Sequence, residues 1–288
     1  MASNQGENEQ AFRTVAISLD SDQADWAVQR SIVACGVRVG IRTNEPKVLD
    51  RLLSLAPPIW KPSLSPRVER QFSLMVGTRR GRKNGRSLHH LYEDRQLVAS
   101  STDMDSILEI LQTQLKAYLA EMARRRVFIH AGAVGWRGHM IIIPGRSFSG
   151  KTSLVAELVR AGATYYSDEC AVMDKRGRAH PYTAPLALRE PGSFKQKNCH
   201  AQELGGSNGV KPLPVGLVIV SQYKSGERWR PHTLSAGQAM LELLANTIPA
   251  RRKPEAVMAT LEKIVSQALV LKGARGEAQE TVRMILER

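Results

Sequence analysis

The run Gly145-Arg146-Ser147-Phe148-Ser149-Gly150-Lys151-Thr152 has the residue types and spacing of a phosphate-binding loop, GxxxxGK[ST]. An apolar run, Met140–Ile143, precedes it, and helical spacing follows it from Leu154. Glycines let backbone N–H groups curl around a phosphate, and the helix N-terminus adds positive potential. We expect the whole loop to hold the phosphates of ATP, with Lys151 on the β- and γ-phosphates and Thr152 on Mg²⁺.

Two adjacent acids, Asp168 and Glu169, follow the apolar stretch ATYYS and lie only 17 and 18 residues after Lys151. This separation is too short for the usual ATPase arrangement, in which a longer insertion precedes the metal-holding Asp. Two carboxylates beside bound phosphates can divide the work of accepting a proton and holding Mg²⁺. A solvated acidic turn is the alternative interpretation of this pair.

His130 lies 21 residues before Lys151, and the frame IHAGAVGWRGHMIIIPGRSFSGKTSL…GATYYSDECAV resembles HPr kinase/phosphorylase and the related serine kinases. The resemblance covers about 127–190, roughly a fifth of the chain. It implies a kinase with a phosphoenolpyruvate-carboxykinase-like core that transfers the γ-phosphoryl of ATP to a serine hydroxyl. By position, Asp168 would be the catalytic base, His130 would tune its charge, and Glu169 would hold Mg²⁺ with Thr152. A backbone-satisfied core histidine is the alternative for His130.

The chain departs from the family pattern at three points, and we therefore expect a divergent member. Glu169 replaces an Asp, Phe148 stands where the family usually has Gly, and the stretch LGGSNG is unlike the downstream glycine-rich signature of the bifunctional enzymes. The acceptor is accordingly open between a protein, a peptide and a small molecule. The resemblance also implies a homo-oligomer.

Two further features follow the acidic pair. Arg189 ends the predicted strand 185–189 and could bind phosphate, since a guanidinium can stabilise a transferring phosphoryl group; a solvated arginine is the alternative. Residues 191–214 are rich in Gly and Lys. That segment is long enough for a lid or substrate loop, and a disordered insertion is the alternative.

The elements that must position these residues fall into two regions, 1–123 and 124–288. The first is predicted to be a small α+β module, with strands at 12–19, 34–43, 72–76 and 88–99, a helix at 45–55, and an exposed loop at 78–86. A long amphipathic helix capped by Asp103 or Asp105 ends it. In the second, strands (127–136, 139–145, 164–174, 214–223, 269–272) alternate with helices (after Lys151, 235–247, 255–268, from 277), which predicts a layered α/β fold with a P-loop kinase core.

The amino-acid composition fits a folded α/β protein and excludes several other classes of protein. The 288-residue chain is 42% hydrophobic and 24% charged, with a formal charge of +14, which excludes a wholly disordered or collagenous chain and suggests a polyanionic partner. The three cysteines are far apart, which argues against a disulfide framework and a zinc cluster. No signal peptide or membrane span is apparent, so we expect a cytoplasmic protein.

Basic clusters at 78–86, 124–126 and 251–253 lack interleaved aromatic residues, and aromatic residues make up only 5% of the chain. We therefore do not expect nucleic acid as a partner. Two functional hypotheses lead: an ATP- and Mg²⁺-dependent kinase, and a non-catalytic ATP-binding regulator or scaffold that switches partner binding. A nucleic-acid-linked NTPase is a third possibility.

Overall fold

The computed structural model describes residues 25–54, 56, 59–77, 87–146, 149–189 and 196–287. The predicted strand at 12–19 and the predicted loop at 78–86 lie outside this range. The fold is mixed α/β, and the described residues form two large sheets and one two-stranded ribbon.

The first sheet contains six strands among the described residues, in the order β3-β1-β2-β4-β5-β6. Their bounds, with those of the first two helices, are β1 (Val28–Ala34), β2 (Val37–Thr43), α1 (Pro46–Ser54), β3 (Lys61–Ser63), β4 (Arg70–Met75), β5 (His89–Glu93), β6 (Gln96–Ser101) and α2 (Met104–Met122). β2 and β4 are parallel, and the other neighbouring pairs are antiparallel.

Turns interrupt two segments predicted as single strands: one lies at the start of 34–43, most of which is β2, and the other divides 88–99 into a hairpin. Cys35 and Gly36 have φ angles of 51° and 84°, so they form a tight turn between β1 and β2 within the predicted strand 34–43. Asp94, at φ 52°, likewise interrupts 88–99 between β5 and β6. Neither turn carries the Asn-Gly or Asp-Gly pair that marks such hairpins in a sequence.

Helix α2 begins where Asp103 caps it: the Asp103 carboxylate accepts the Ser106 N–H at 2.9 Å. Its apolar stripe is buried in the core of the first sheet, as the helical spacing predicts. The buried members of that stripe are Ile107, Leu108, Leu111, Leu115 and Leu119.

The second sheet contains eight strands among the described residues. It runs β11-β10-β7-β8-β14-β16-β15, and β9 also pairs with β7. The bounds of the remaining elements are β7 (Val127–Trp136), β8 (His139–Pro144), α3 (Lys151–Arg160), β9 (Thr164–Ser167), β10 (Cys170–Met173), β11 (Arg178–His180), β12 (Leu186–Arg189), β13 (Gln196–Cys199), β14 (Leu213–Tyr223), β15 (His232–Thr233), α4 (Ala236–Leu244), α5 (Pro254–Gln267), β16 (Leu269–Arg275) and α6 (Ala278–Leu286).

Helices cover both faces of this sheet, which explains the continuous apolar character of its central strands. β8 is parallel to β14, and β14 is parallel to β16. Along β8, Met140 and Ile142 pack in the core with α4 and α5, while Ile141 and Ile143 pack in the core with α3 and α6. Alternate side chains of one strand therefore serve two cores.

The predicted strand 164–174 is broken in two, and the break places the acidic pair. β9 and β10 both pair with β7, and Asp168 and Glu169 lie between them. The Ser167 hydroxyl accepts the N–H groups of Glu169 and Cys170 at 3.1 and 3.0 Å, which holds the turn. The acids therefore lie in a fixed corner of the sheet.

The disordered-insertion alternative for 191–214 is wrong for its described part, 196–214, whereas a role as a lid or substrate loop stays a prediction. β13 pairs with β12 in a separate two-stranded ribbon, a short 3₁₀ helix spans Ala201–Leu204, and β14 begins at Leu213. The ribbon satisfies backbone groups that the sequence pattern left unassigned. Within the described residues, no helix has the length and apolar character to cross a membrane.

Candidate active site

The phosphate-loop sequence connects the end of β8 to the start of α3. Ser147 and Phe148 lie outside the described residues. The Gly145 N–H donates to the His130 carbonyl at 3.2 Å, which ties the start of the loop to β7. Gly150 caps α3 with a φ of 82°, a left-handed conformation that favours glycine. The strand–loop–helix context that the motif requires is therefore present.

Lys151 is buried at the first position of α3, with 7% of its surface exposed. Its ammonium donates to the Arg146 carbonyl at 2.8 Å, so the side chain folds over its own loop. Burial lowers the pKa of Lys151, and the charge of Asp168 opposes that shift. A buried cation whose hydrogen bond goes to a neutral carbonyl is well suited to pair with an anion.

The Ser149 hydroxyl is buried and finds no hydrogen-bond partner among the described residues. It lies 2.8 Å from where a Cβ on Gly145 would be, so only glycine fits there without a shift. An orphaned buried hydroxyl just before the N-terminus of α3 fits a bound phosphate oxygen.

Arg275, which the sequence did not single out, holds the other end of the loop. It ends β16, is 2% exposed, and donates to the carbonyls of Gly150 at 2.9 Å and Gly276 at 3.0 Å. Its guanidinium lies 5.6 Å from the centre of the Tyr223 ring. The predicted strand stopped at residue 272, three positions before this arginine, so no local pattern drew attention to it.

Asp168 is a buried carboxylate, 8% exposed, at the break between β9 and β10. It accepts the Tyr165 hydroxyl at 3.0 Å and the Ala187 N–H at 3.3 Å, and it is hydrogen-bonded to Thr152. Burial raises the pKa of Asp168, and these hydrogen bonds partly oppose the rise. A carboxylate with a raised pKa beside the phosphate loop has the properties of a general base.

Glu169 lies more openly, with 43% of its side chain exposed. Its carboxylate accepts the Lys116 ammonium of α2 at 2.7 Å, and its backbone carbonyl accepts the Ala131 N–H at 3.2 Å. The two neighbouring acids therefore have different environments, one buried and one accessible. Different environments allow two carboxylates to take different roles.

His130 lies on β7 beside this corner and is half-buried. Burial lowers its pKa, the Lys151 charge adds to that effect, and the Glu169 charge opposes it. Its backbone N–H donates to the Asn246 carbonyl at 2.7 Å. The structure thus brings His130 into the same cleft as the loop and the acidic pair.

Arg189 is the last residue of β12, where its backbone pairs with Gln196. Its side chain lies outside the description, so its predicted contact with phosphate stays a prediction. The same strand contributes Ala187, whose N–H contacts Asp168 and which lines the cleft.

Of the residues described above, His130, Lys151, Thr152, Asp168 and Glu169 line a cleft of about 670 Å³. One wall is formed by the start of α3, His130 and the acidic pair; the opposite wall is formed by α1 and α2. The sequence predicted the site residues of the first wall, but it gave no indication that α1 and α2 line the cleft. Lys116 belongs to a polar stripe on α2 that, in the sequence, is indistinguishable from a solvated helix face.

No group of three His, Cys, Asp or Glu side chains that could hold a metal occurs within the described ranges. Magnesium does not require one, because it usually keeps waters and takes one or two carboxylates together with substrate phosphates. The Thr152 hydroxyl and the carboxylates of Asp168 and Glu169 are oxygen donors of the kind it prefers, so the residues fit a nucleotide-bound Mg²⁺.

No protein-family model matches this sequence, and a search of curated proteins found no similar chain.

Proposed function

We propose that this protein is an ATP- and Mg²⁺-dependent kinase that transfers the γ-phosphoryl group to a hydroxyl, such as a serine, of a protein, peptide or small molecule. The observation that carries the proposal is the convergence of Lys151, Thr152 and the buried Asp168 in one cleft. Phosphoryl transfer requires mainly positioning and charge stabilisation, which these groups can supply together.

In this proposal the loop Gly145–Thr152 and the N-terminus of α3 bind the phosphates of ATP. Lys151 exchanges its bond with the Arg146 carbonyl for one with a phosphate oxygen, and the Ser149 hydroxyl gains a partner. Thr152 and Glu169 would hold Mg²⁺, which neutralises charge on the phosphates when bound.

Asp168 then accepts the proton of the acceptor hydroxyl. The acceptor oxygen forms a bond to the γ-phosphorus, the bond from that phosphorus to the bridging oxygen breaks, and ADP leaves with the electron pair. Burial favours this role, because it raises the proton affinity of Asp168. His130, nearby and with a lowered pKa, is a neutral neighbour that adds no competing charge near pH 7.

The finer fold assignment belongs to the same proposal. A phosphate loop between β8 and α3, with an acidic pair at a strand break on the far side of β7, supports a kinase core of the HPr kinase and phosphoenolpyruvate-carboxykinase type.

The experiment is a transfer assay with γ-labelled ATP, Mg²⁺ and an extract of the cells that encode the protein. We expect label on an acceptor with the wild type, and a loss of about 10²–10⁴-fold with Asp168→Asn, the range for a lost general base. Asp50→Asn, an exposed acid on α1, is the matched control. Transfer by Asp168→Asn at the wild-type rate would overturn the base assignment. Tight ATP binding without any labelled acceptor would favour the nucleotide-switched regulator.

A further inference from the structure

Helix α2 makes different contacts with its apolar and its polar face. Its apolar face covers the first sheet, and a polar face turns toward the phosphate loop. The polar residues that line the cleft follow helical spacing, at Asp105, Glu109, Gln112, Thr113 and Lys116. The region before residue 124 therefore supplies side chains to the cleft as well as a cover for it.

Lys116 is the member of this face that contacts the opposite wall. Its ammonium lies 2.7 Å from the Glu169 carboxylate, across 53 positions of sequence. The Lys116 side chain is 26% exposed, so the pair is accessible to solvent. Ion pairs of this kind stabilise a protein by only about 0–1 kcal/mol, so exchanging one partner costs little.

The contact also occupies the carboxylate that a nucleotide-bound metal would use. Lys116 and Lys151 both act to lower the pKa of Cys170, the neighbour of Glu169, so both cations lie near the same corner. A magnesium-bound triphosphate keeps a net negative charge after Lys151 is counted. A second cation at the γ-phosphate end would balance that charge.

We propose that Lys116 is a phosphate-binding residue of this cleft, contributed by α2. In this structure it pairs with Glu169; with a magnesium nucleotide bound, Lys116 would leave that carboxylate to the metal, turn to the γ-phosphoryl group and stabilise its charge during transfer. This inference rests on the proposed function, because it requires a nucleotide in the cleft. It predicts that Lys116 distinguishes ATP from ADP and competes with the metal.

The test measures binding of ATP and ADP by calorimetry at several Mg²⁺ concentrations, without any acceptor. In Lys116→Met at saturating Mg²⁺, the dissociation constant for ATP should rise about tenfold or more, as for a lost charge-assisted hydrogen bond, while that for ADP stays within about twofold. The Mg²⁺ concentration that half-saturates ADP binding should fall, because no lysine competes for Glu169. Lys116→Arg should retain most of the ATP preference.

Lys263→Met, an exposed lysine on α5, is the control for the loss of one charge and should change neither value. Unchanged ATP preference and Mg²⁺ dependence in Lys116→Met would overturn the inference and leave Lys116 as a surface partner. An equal loss for ATP and ADP would also overturn it, since it would indicate general support of the cleft. Failure of the wild type to bind either nucleotide would instead overturn the proposed function, and this inference with it.

Discussion

Replacing Gly150 with alanine tests how the phosphate loop keeps its shape. Gly150 has a φ of 82°, and an added Cβ would lie 2.3 Å from the Arg275 Nη2 atom. That atom donates to the Gly150 carbonyl at 2.9 Å, and Arg275 is buried against Tyr223, so the guanidinium has little room to move aside. Alanine therefore strains the backbone and displaces the arginine at the same time.

The two costs can be separated with Gly226, which has a φ of 74° and nothing within 4 Å of an added Cβ. Gly226→Ala destabilises the fold only through the strain of a left-handed backbone conformation, about 1–2 kcal/mol. Gly150→Ala also loses a hydrogen bond from a charged group, about 1.5–3 kcal/mol. We therefore expect losses in the free energy of unfolding of about 1–2 kcal/mol for Gly226→Ala and about 2.5–5 kcal/mol for Gly150→Ala.

Urea denaturation of the wild type and both variants measures these free energies, with m-values compared to confirm that the transitions expose similar surface. Arg275→Gln combined with Gly150→Ala should lose less than the sum of the two single changes, because each removes the same contact. Equal losses in the two glycine variants, or strict additivity with Arg275→Gln, would refute the assignment of Arg275 as the support of this loop.

Two further substitutions test the acidic corner and the helix that faces it. Tyr165→Phe removes a hydrogen bond that lowers the pKa of Asp168, so this pKa should rise further. The acidic limb of the plot of transfer rate against pH should then move to higher pH. Tyr166→Phe is the control and should leave that limb in place, because the Tyr166 hydroxyl donates to the Lys211 carbonyl instead. A profile identical to the wild type would disconnect Tyr165 from the base. Leu115→Ala should lower the free energy of unfolding, measured in urea, by about 2–5 kcal/mol, because Leu115 is buried. Leu241 is exposed, so Leu241→Ala should change this free energy little. Similar values for the two variants would contradict the packing of α2 on the first sheet.

Local patterns in the sequence were sufficient to predict the positions of the elements that carry most of the candidate site. The loop before α3, the cap of α2 at Asp103 and the helices near the C-terminus lie close to the predicted positions, because capping and periodicity are properties of neighbouring residues. The same local reasoning placed Asp168 and Glu169 after a strand.

Local sequence patterns did not predict where strands break or which residues meet across the fold. The turns at Cys35 and Asp94 use left-handed conformations, which are uncommon for residues other than glycine. Lys116 contacts Glu169, and Arg275 contacts Gly150, because packing with the rest of the fold places α2 and β16 beside them. Side chains supplied from a distance are invisible to a motif, whose members must be close in sequence.

The most direct test of the account is the chemical fate of the γ-phosphoryl group in a single turnover, with labelled ATP held by excess protein in the presence of Mg²⁺ and a cell extract. The account predicts that the label appears as an acid-stable phosphate ester on a hydroxyl acceptor, and that Asp168→Asn retains ATP binding but forms this ester about 10²–10⁴-fold more slowly. Label that remains in ATP, or that appears only as inorganic phosphate, would contradict it.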